Sequence, residues 1–283
     1  MRIEESELIL NNDGSIYHLH LLPEDIADVI LTVGDPERVP QVSCYFDSIE
    51  IKKQKREFVT HTGYMGNKRV TVLSTGMSTD NIDIVINELD ALVNINLDTR
   101  EIKPVNEIKS LSIIRVGTAG GLQKEIPLDS FVVSEMAIGL DGLSHFYNIN
   151  FNGEEESFRE KFIHHFQPEI QSAYVIEGDK QWVNLLREKN FIAGKTVTCA
   201  GFYGPQGRAL RAKPRVQNFP GRLTQFGISN FEMETAGIYA MGRLLGHQCC
   251  SVSAIVADRV TGKFSKQASK TVDLLIQSVL SSL

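Results

Sequence analysis

Two carboxylates flank a thioether in the segment NFEMETAGIYAMGRLLG, residues 230–246. Glu232 and Glu234 stand on either side of Met233, where the apolar pattern predicts that a helix begins. Acidic side chains near a helix N-terminus interact favourably with the helix dipole, by about 0.3–1 kcal/mol each. From these residues alone, helix capping is the simplest role for both carboxylates.

An arginine stands near the end of a very apolar strand in the segment IRVGTAGGLQ, residues 114–123. A buried guanidinium, as predicted for Arg115, needs an anionic partner because an isolated buried charge costs several kcal/mol. Phosphate suits its planar donor fork. The glycines do not form the G-x-G-x-x-G dinucleotide pattern, and AGKT at 193–196 lacks the first P-loop glycine, since Lys189 stands there. A Rossmann-type cofactor is therefore unsupported, and ATP binding is rejected.

The segment TVGDPERV, residues 32–39, follows an apolar strand. Gly34 would let backbone amides approach a ligand, and Pro36 at a first helical position would direct the free N–H groups of the next turn toward an anion. Arg38 would add a positive charge. The segment therefore suggests an oxyanion site, and the alternative is an ordinary strand-to-helix turn with a solvent-facing arginine.

The turn-rich segment GFYGPQGRAL, residues 201–210, carries Phe202, Gln206 and Arg208 together. An aromatic face, an amide that both donates and accepts, and a cationic donor are suited to reading the edge of a planar heterocycle. A plain surface loop explains this segment about as well.

Apolar β-branched runs alternate with helical patterns along the chain. The predicted strands are 28–34, 69–76, 111–117, 129–135, 195–201 and 248–258, and the predicted helices are 79–94, 179–190 and 232–246. This alternation predicts an α/β fold, a three-layer α/β/α domain around a central twisted mixed sheet. Ligands of such folds usually lie at the carboxyl ends of strands. No linker is visible, so we expect a single domain over 1–283, with a surface excursion at 94–110.

Composition limits the classes of partner. A net charge of −6 and a pI of about 5.7 argue against nucleic acid. No long apolar run or basic leader is present, so we expect a cytoplasmic protein without membrane contact. Cys44, Cys199, Cys249 and Cys250 lack disulfide or zinc spacing and are expected to be reduced, buried thiols. The pair His164 and His165 points in diverging directions on a helix, so no metal site is predicted.

Taken together, these segments resemble the nucleoside phosphorylase family, and most closely the uridine phosphorylases. The similarity runs in order from residue 17 to residue 259, through YHLHL, GDPERV, KREFVTHTG, STGMS, RVGTAGG, FYGPQGR, FEMET and VADR. Each motif alone is weak, whereas their order along the chain is specific. The resemblance implies reversible phosphorolysis of uridine to uracil and ribose 1-phosphate, with inorganic phosphate as co-substrate and without a metal or organic cofactor.

The resemblance also implies a role for individual residues. Phosphate would be bound by Gly34, Arg38, Arg56, Arg115 and Thr118. The ribose would be bound by His18, Thr118, Met233 and Glu234, with Glu232 in support, and the base by Phe202, Gln206, Arg208 and Arg259. The catalytic groups would be Arg38, Arg115, Gln206 and Arg208. His18 and Arg56 would come from a neighbouring subunit, which implies a homodimer at least, or a hexamer built as a trimer of dimers.

Some positions leave alternatives open. Asp258 is an acid where purine-cleaving relatives protonate the base, so a purine nucleoside phosphorylase is the first alternative. A water-dependent nucleosidase and a non-catalytic nucleoside-binding protein on the same fold are the others. Ser78 stands where relatives usually have glycine, the 94–110 excursion is longer than in bacterial relatives, and 261–267 replaces a longer flap. A monovalent cation near Glu57 is left undecided.

Overall fold

The computed structural model describes residues 2–283, which divide into two compact units. The first contains the chain up to residue 114 together with 245–248, and the second contains 115–244 and 249–283. Both units combine helices with strands, and parallel and antiparallel pairings occur together, which confirms the predicted α/β class with a mixed sheet. That 1–283 form a single domain stays a prediction.

The first unit is built on a four-strand order, β2-β3-β4-β1. Its elements are β1 (Val29–Val33), α1 (Arg38–Ser43), β2 (Ser48–Lys55), β3 (Phe58–Met65), β4 (Lys68–Ser74), α2 (Thr79–Asn94), β5 (Ile95–Asn96) and β6 (Glu101–Ile102). Strands β1 and β4 are parallel, whereas β3 is antiparallel to both of its neighbours. Short 3-10 turns occupy Pro23–Asp25 and Val105–Glu107.

Helix α2 has the bounds that the sequence predicts. Its fully buried side chains Ile82, Val85, Ile86 and Leu89 follow the spacing i, i+3, i+4 and i+7, which places them on one helical face. The predicted excursion at 94–110 contains the small β5–β6 pair and a 3-10 turn. The sequence did not predict β2, because its polar, lysine-rich residues alternate between half-buried and exposed.

The second unit begins within β7 (Ser112–Gly121), whose residues from Arg115 onward belong to it. Its further elements are β8 (Phe131–Gly139), α3 (Gly153–Phe166), β9 (Tyr174–Glu177), α4 (Lys180–Glu188), β10 (Ile192–Thr198), α5 (Phe219–Gln225), β11 (Asn230–Glu232), α6 (Thr235–Leu245), β12 (Gln248–Asp258), β13 (Lys263–Phe264) and α7 (Ala268–Leu280). Two 3-10 turns cover Leu143–Phe146 and Gly204–Gln206.

The strands of the second unit pair in the order β13-β12-β8-β10-β11-β7, and β12 also pairs with β7. This last pairing closes β7, β11, β10, β8 and β12 into a ring. Strand β10 is parallel to β8 and β11, while β12 runs antiparallel to β8. Phe162 and Phe166 of α3, Phe219 of α5 and Phe231 of β11 belong to one buried cluster, which fixes these elements around the carboxyl end of β10.

Two expectations need correction. The helix predicted from residue 232 begins at Thr235, because 230–232 form β11 and pair with β10. Three of the four cysteines are buried thiols as expected, but Cys44 is exposed, because it follows the short helix α1 at the surface and donates only to Gln41 O. No helix in the described chain combines the length and apolar character that a membrane crossing needs.

Candidate active site

A buried ion cluster centres on Arg115 of β7. Its Nη2 lies 2.7 Å from Glu234 Oε2 and 3.1 Å from Glu232 Oε2, and its Nη1 donates to Ser253 Oγ at 3.2 Å. The residue is 6% exposed. Burial works against the charged form, but the two carboxylates outweigh it and raise the pKa of Arg115. The anionic partner that a buried arginine requires is therefore supplied by two carboxylates.

The glycine two residues after Arg115 explains how the cluster fits. A Cβ on Gly117 would stand 2.1 Å from an Arg115 guanidinium nitrogen, closer than atoms can approach. Only glycine therefore lets the arginine side chain fold back along its own strand.

Glu232 joins three elements at the start of α6. Its Oε2 accepts from the backbone N–H groups of Glu234 and Thr235, both at 2.9 Å, and its Oε1 accepts from Thr198 Oγ1 at 2.7 Å. Helix capping is thus confirmed for Glu232, whereas Glu234 turns toward Arg115. Burial raises the pKa of Glu232, with Arg115 acting in the opposite direction.

The segment 201–210 folds into a tight loop that carries a stacked arginine. The Arg208 guanidinium carbon lies 3.8 Å from the centroid of the Phe202 ring, and its Nη1 donates to Phe202 O at 2.8 Å and to the side-chain oxygen of Gln206. Gly207, with φ of +69°, closes the turn so that Arg208 N reaches Tyr203 O. The predicted trio is therefore brought together, with one face of Phe202 covered by Arg208.

Two guanidinium groups lie over one buried aromatic ring. Arg208 and Arg259 are 6.0 and 5.1 Å from the centroid of Phe231, and Arg259 Nη2 contacts Gln206 O at 3.4 Å. A Cβ on Gly120 would stand 2.9 Å from the Phe231 ring, so this glycine makes room for the ring.

The charges of these two arginines are incompletely compensated. Burial and the neighbouring Arg259 lower the pKa of Arg208 to about 10, and burial lowers that of Arg259. Arg259 Nη1 is buried and has no hydrogen-bond partner among residues 2–283. A planar ligand that carries negative charge would satisfy this donor and relieve the repulsion between the two cations.

Asp258, next to Arg259, is held as an acceptor. Its carboxylate accepts from the backbone N–H groups of Val260 and Thr261 and from the Thr261 hydroxyl. Although partial burial opposes ionisation, these hydrogen bonds lower its pKa. An acid that is ionised in this way is poorly suited to donate a proton at neutral pH.

The turn between β1 and α1 corrects part of the oxyanion prediction. Helix α1 starts at Arg38 and not at Pro36. The amides of Glu37, Arg38 and Val39 donate to Asp35 Oδ1, Asp35 O and Pro36 O, so these N–H groups are already used inside the turn. The predicted free amides are therefore wrong, because the turn closes on Asp35. Gly34 and Arg38 remain candidate residues of this loop.

The hairpin between β2 and β3 carries Arg56 at its tip. Arg56 is exposed and has φ of +55°, a region that bulky residues rarely adopt. Its guanidinium carbon lies 5.8 Å from the centroid of the Tyr17 ring, and the Tyr17 and His18 rings are nearly perpendicular with centroids 4.8 Å apart. The first unit thus brings the two residues predicted to act on a neighbouring subunit into the same neighbourhood.

Ser78 adopts a backbone conformation that is typical of glycine. Its φ and ψ of 80° and 159° lie in a region that is essentially reserved for glycine. Gly76 nearby also has positive φ, and a Cβ there would stand 2.4 Å from Asn81 Nδ2. Asn81 in turn donates to Glu57 Oε1 at 3.1 Å. Ser78 therefore holds a serine side chain on a backbone conformation that favours glycine.

A family model described as the phosphorylase superfamily matches residues 28–281. The chain belongs to the phosphorylase superfamily. This confirms the resemblance that the ordered motifs indicate.

Several relatives within the superfamily are similar over most of their length. The uridine phosphorylase of Thermococcus kodakarensis is 30% identical over 93% of this chain and 84% of its own. A DeoD-type purine nucleoside phosphorylase of Thermoanaerobacter is 27% identical over 87% of this chain and 89% of its own. A Trypanosoma brucei nucleoside phosphorylase, whose structure is described as showing uridine phosphorylase activity, superposes with a TM-score of 0.90 at 28% identity and covers 98% of this chain and 100% of its own.

In this superfamily member, the predicted site residues divide between the two units. Arg115, Glu232 and Glu234 are in contact, as are Phe202, Gln206, Arg208 and Arg259, all in the second unit, where Thr118 and Met233 are half-buried. Gly34, Arg38, Arg56 and His18 belong to the first unit. That both groups meet around one phosphate and one ribose stays a prediction.

Sequence reasoning missed four residues of these clusters. Phe231, Thr198 and Ser253 contact the charged groups in the second unit, and Glu88 contacts His18 in the first. Phe231 could have been found, because it stands directly before the Glu-Met-Glu run. The other three lie far along the chain from their partners, so no local pattern reveals them. Residues 2–283 contain no His, Cys, Asp or Glu group arranged to hold a metal, and His164 and His165 are exposed.

Proposed function

We propose that this phosphorylase superfamily member is a uridine phosphorylase, a pentosyltransferase that converts uridine and phosphate reversibly into uracil and ribose 1-phosphate. The sequence-based prediction agrees with the names of the Thermococcus relative and of the trypanosomal structure. No metal or organic cofactor takes part in the proposed reaction, and inorganic phosphate is the co-substrate.

The arrangement of Arg208 and Arg259 over Phe231 carries this proposal. Breaking the glycosidic bond leaves negative charge on the departing uracil, which is planar and bears two carbonyl oxygens. Two guanidinium groups lie over the Phe231 ring, and Arg259 has a buried donor without a partner among residues 2–283. This arrangement fits a planar leaving group that carries negative charge. Gln206, buried beside them, would read the amide edge of the base. No general acid is then required.

The phosphate and ribose sides of the site are proposed around Arg115 and Glu234. Glu234 would accept from the sugar hydroxyls while Met233 packs against the ring, and Thr118 would contact both ligands. Phosphate, held by Gly34, Arg38, Arg56 and Arg115, would attack C1′, and its negative charge would stabilise the oxocarbenium-like sugar. The contact between Arg115 and Glu234 supports this assignment, because it places a predicted phosphate-binding residue next to a predicted ribose-binding residue.

His18 and Arg56 are proposed to act on the site of a neighbouring subunit. The strained backbone at Arg56 supports a functional role, since glycine would occupy that φ at lower cost and an arginine there needs another reason. The proposed assembly is a homodimer at least, and a hexamer would be a trimer of such dimers. The four unpaired thiols fit a reducing compartment, and we propose that the enzyme works in the cytoplasm.

Purine nucleoside phosphorolysis is the second candidate, favoured by the DeoD-type relatives. In that reaction an acid at position 258 would protonate the purine. The hydrogen bonds that lower the pKa of Asp258 disfavour this role, and the Gln206–Arg208 loop favours a pyrimidine.

The deciding experiment is uracil release from uridine with and without phosphate, followed by ultraviolet absorbance. We expect release only with phosphate, and little turnover of inosine or adenosine in parallel assays. Release without phosphate would replace the proposal by a nucleosidase, and faster turnover of inosine than of uridine would replace it by a purine phosphorylase. Tight uridine binding without turnover at saturating phosphate would indicate a binding protein.

A further inference from the structure

Glu88, on helix α2, binds the segment that carries His18. Its carboxylate accepts from the backbone N–H of His18 at 2.9 Å and from that of Leu19 at 2.8 Å. Its Oε1 also lies 2.6 Å from His18 Nδ1. The Glu88 side chain is 12% exposed and that of His18 is 27% exposed, so the carboxylate is the inner partner and the imidazole the outer one.

The chemistry of this contact fixes the ring proton. An ionised carboxylate only accepts hydrogen bonds, so the proton between the two groups belongs to Nδ1 of the imidazole. In a neutral ring the other nitrogen, Nε2, then carries a lone pair and no proton. In this neutral form, His18 offers a ligand an acceptor and not a donor.

A neighbouring contact holds the same segment in place. Lys55 Nζ donates to Tyr17 O at 2.5 Å and to Asn11 Oδ1 at 2.8 Å, and it lies 4.4 Å from the centroid of the Tyr17 ring. The backbone on both sides of His18 is therefore anchored, by Lys55 before it and by Glu88 after it. The contact between Glu88 Oε1 and Nδ1 holds the imidazole ring itself.

We propose that Glu88 is a positioning residue, which fixes the tautomer of His18 so that Nε2 accepts a hydrogen bond from the ribose 5′-hydroxyl. The inference rests on the proposed function, in which His18 contacts that hydroxyl in the neighbouring subunit. It adds a rule for specificity. The 5′ substituent of the substrate must be able to donate a hydrogen bond to Nε2. A 5′-ether should therefore bind as poorly as a substrate that lacks the 5′ oxygen.

The variant Glu88→Gln tests the tautomer directly. In this variant the amide oxygen can take the place of Oε2, which accepts from the backbone N–H of His18 at 3.1 Å and of Leu19 at 2.8 Å, and the NH₂ group in the place of Oε1 can only donate to Nδ1. The ring proton should then move to Nε2. Nitrogen-15 NMR of histidine-labelled protein at about pH 8.5, where imidazoles are mostly neutral, reports which nitrogen is protonated. A His18→Gln sample identifies the His18 signals. We expect Nδ1–H in the wild type and Nε2–H in the variant.

Substrate selectivity gives a second readout. Uridine, 5′-O-methyluridine and 5′-deoxyuridine are compared by kcat/KM in both proteins. In the wild type we expect both analogues to lose about 10- to 100-fold, because neither donates to Nε2. In Glu88→Gln we expect the ether to gain at least about tenfold over 5′-deoxyuridine, since Nε2–H can donate to its oxygen. The ratio of kcat/KM for the ether to that for 5′-deoxyuridine is compared between the two proteins. The steric effect of the methyl group enters both ratios and therefore cancels.

The outcomes separate this inference from the proposed function. A wild-type ring proton on Nε2, or an unchanged ratio of ether to 5′-deoxyuridine in the variant, would overturn the role of Glu88. A wild type that releases no uracil from uridine and phosphate would reject the proposed function, while the NMR result would still decide which tautomer Glu88 selects.

Discussion

At the scale of single residues, the arginines of the second unit differ in how far their charge is compensated. Arg115 binds Glu232, Glu234 and Ser253, so its charge is satisfied by the protein. Arg208 and Arg259 have no carboxylate among their described contacts, and both have lowered pKa values. Arg115 therefore shares its charge between the protein's own carboxylates and the proposed phosphate, whereas the other two are suited to a ligand that becomes negative during the reaction.

Replacing Arg208 should affect the chemical step more than the fold. We expect Arg208→Ala to lower kcat for uridine about 10²- to 10³-fold, because one donor to the departing uracil is lost. Arg211, an exposed arginine directly after the 201–210 segment, supplies the matched control, and Arg211→Ala should leave kcat unchanged. Steady-state kinetics at saturating phosphate measure both. An unchanged kcat in Arg208→Ala would contradict the role of this arginine.

Replacing Arg115 should destabilise the protein. In Arg115→Met, two buried carboxylates lose their cation, which we expect to cost about 3–5 kcal/mol in the free energy of unfolding. Urea denaturation measures this cost, with exposed Arg56→Ala as a control that should change stability by about 0.5 kcal/mol or less. Burial raises the folded-state pKa of Glu232, so the stability deficit should shrink as pH falls and Glu232 protonates. A loss that is small and independent of pH would contradict this account.

At the scale of elements, the helices and strands whose sequences show one clear apolar pattern were predicted correctly. Helix α2 has an apolar stripe at helical spacing, and β1, β4 and β12 contain largely buried runs rich in apolar residues. Strand β11 was read as the first turn of a helix, because three residues are too few to show a strand period. Its identity depends on pairing with β10, a contact distant in sequence. Local patterns therefore found the elements with a clear apolar run or stripe, but not α3 and α7, and they miss short elements that are defined by their partners.

The end of β10 is joined to the start of α6 through one hydroxyl. Thr198 Oγ1 donates to Glu232 Oε1 and accepts from Ala236 N at 2.8 Å. In Thr198→Val both groups lose this partner inside the protein, so we expect a loss of about 1–3 kcal/mol in unfolding free energy. Thr198→Ser keeps the hydroxyl and should lose about 1 kcal/mol or less, for one methyl group. Equal losses in the two variants, measured by urea denaturation, would show that the hydroxyl does not stabilise this junction.

The turn before α2 stores strain that glycine should relieve. Ser78 occupies a backbone region that costs other residues about 1–3 kcal/mol, while glycine brings back an entropic cost of about 0.5–1 kcal/mol. We therefore expect Ser78→Gly to raise the melting temperature. Ser78→Ala keeps the Cβ and should show no such gain. A glycine variant that melts no higher than the alanine variant would show that the strain is compensated elsewhere.

At the scale of the whole molecule, the sequence identified the chemistry of the site better than its internal contacts. Residue types and motif order indicated Arg115, Arg208 and Glu234. They could not show that Arg115 is already paired with carboxylates, or that the amides after Gly34 are used within their own turn. The first fact depends on packing between residues distant in sequence, which leaves no trace in local spacing, and the second depends on which local acceptors the turn's amides select.

The proposed assembly can be tested by mixing two inactive variants. In Arg56→Ala the hairpin is damaged, and in Arg208→Ala the base-binding loop is damaged. If Arg56 serves the partner's site, a mixed dimer has one site with both residues intact and one site with neither. Subunits are exchanged at random by mild denaturation and refolding. About a quarter of all sites should then regain wild-type activity. If Arg56 serves its own subunit, every site in the mixture keeps one lesion, and activity stays at the mean of the two parents.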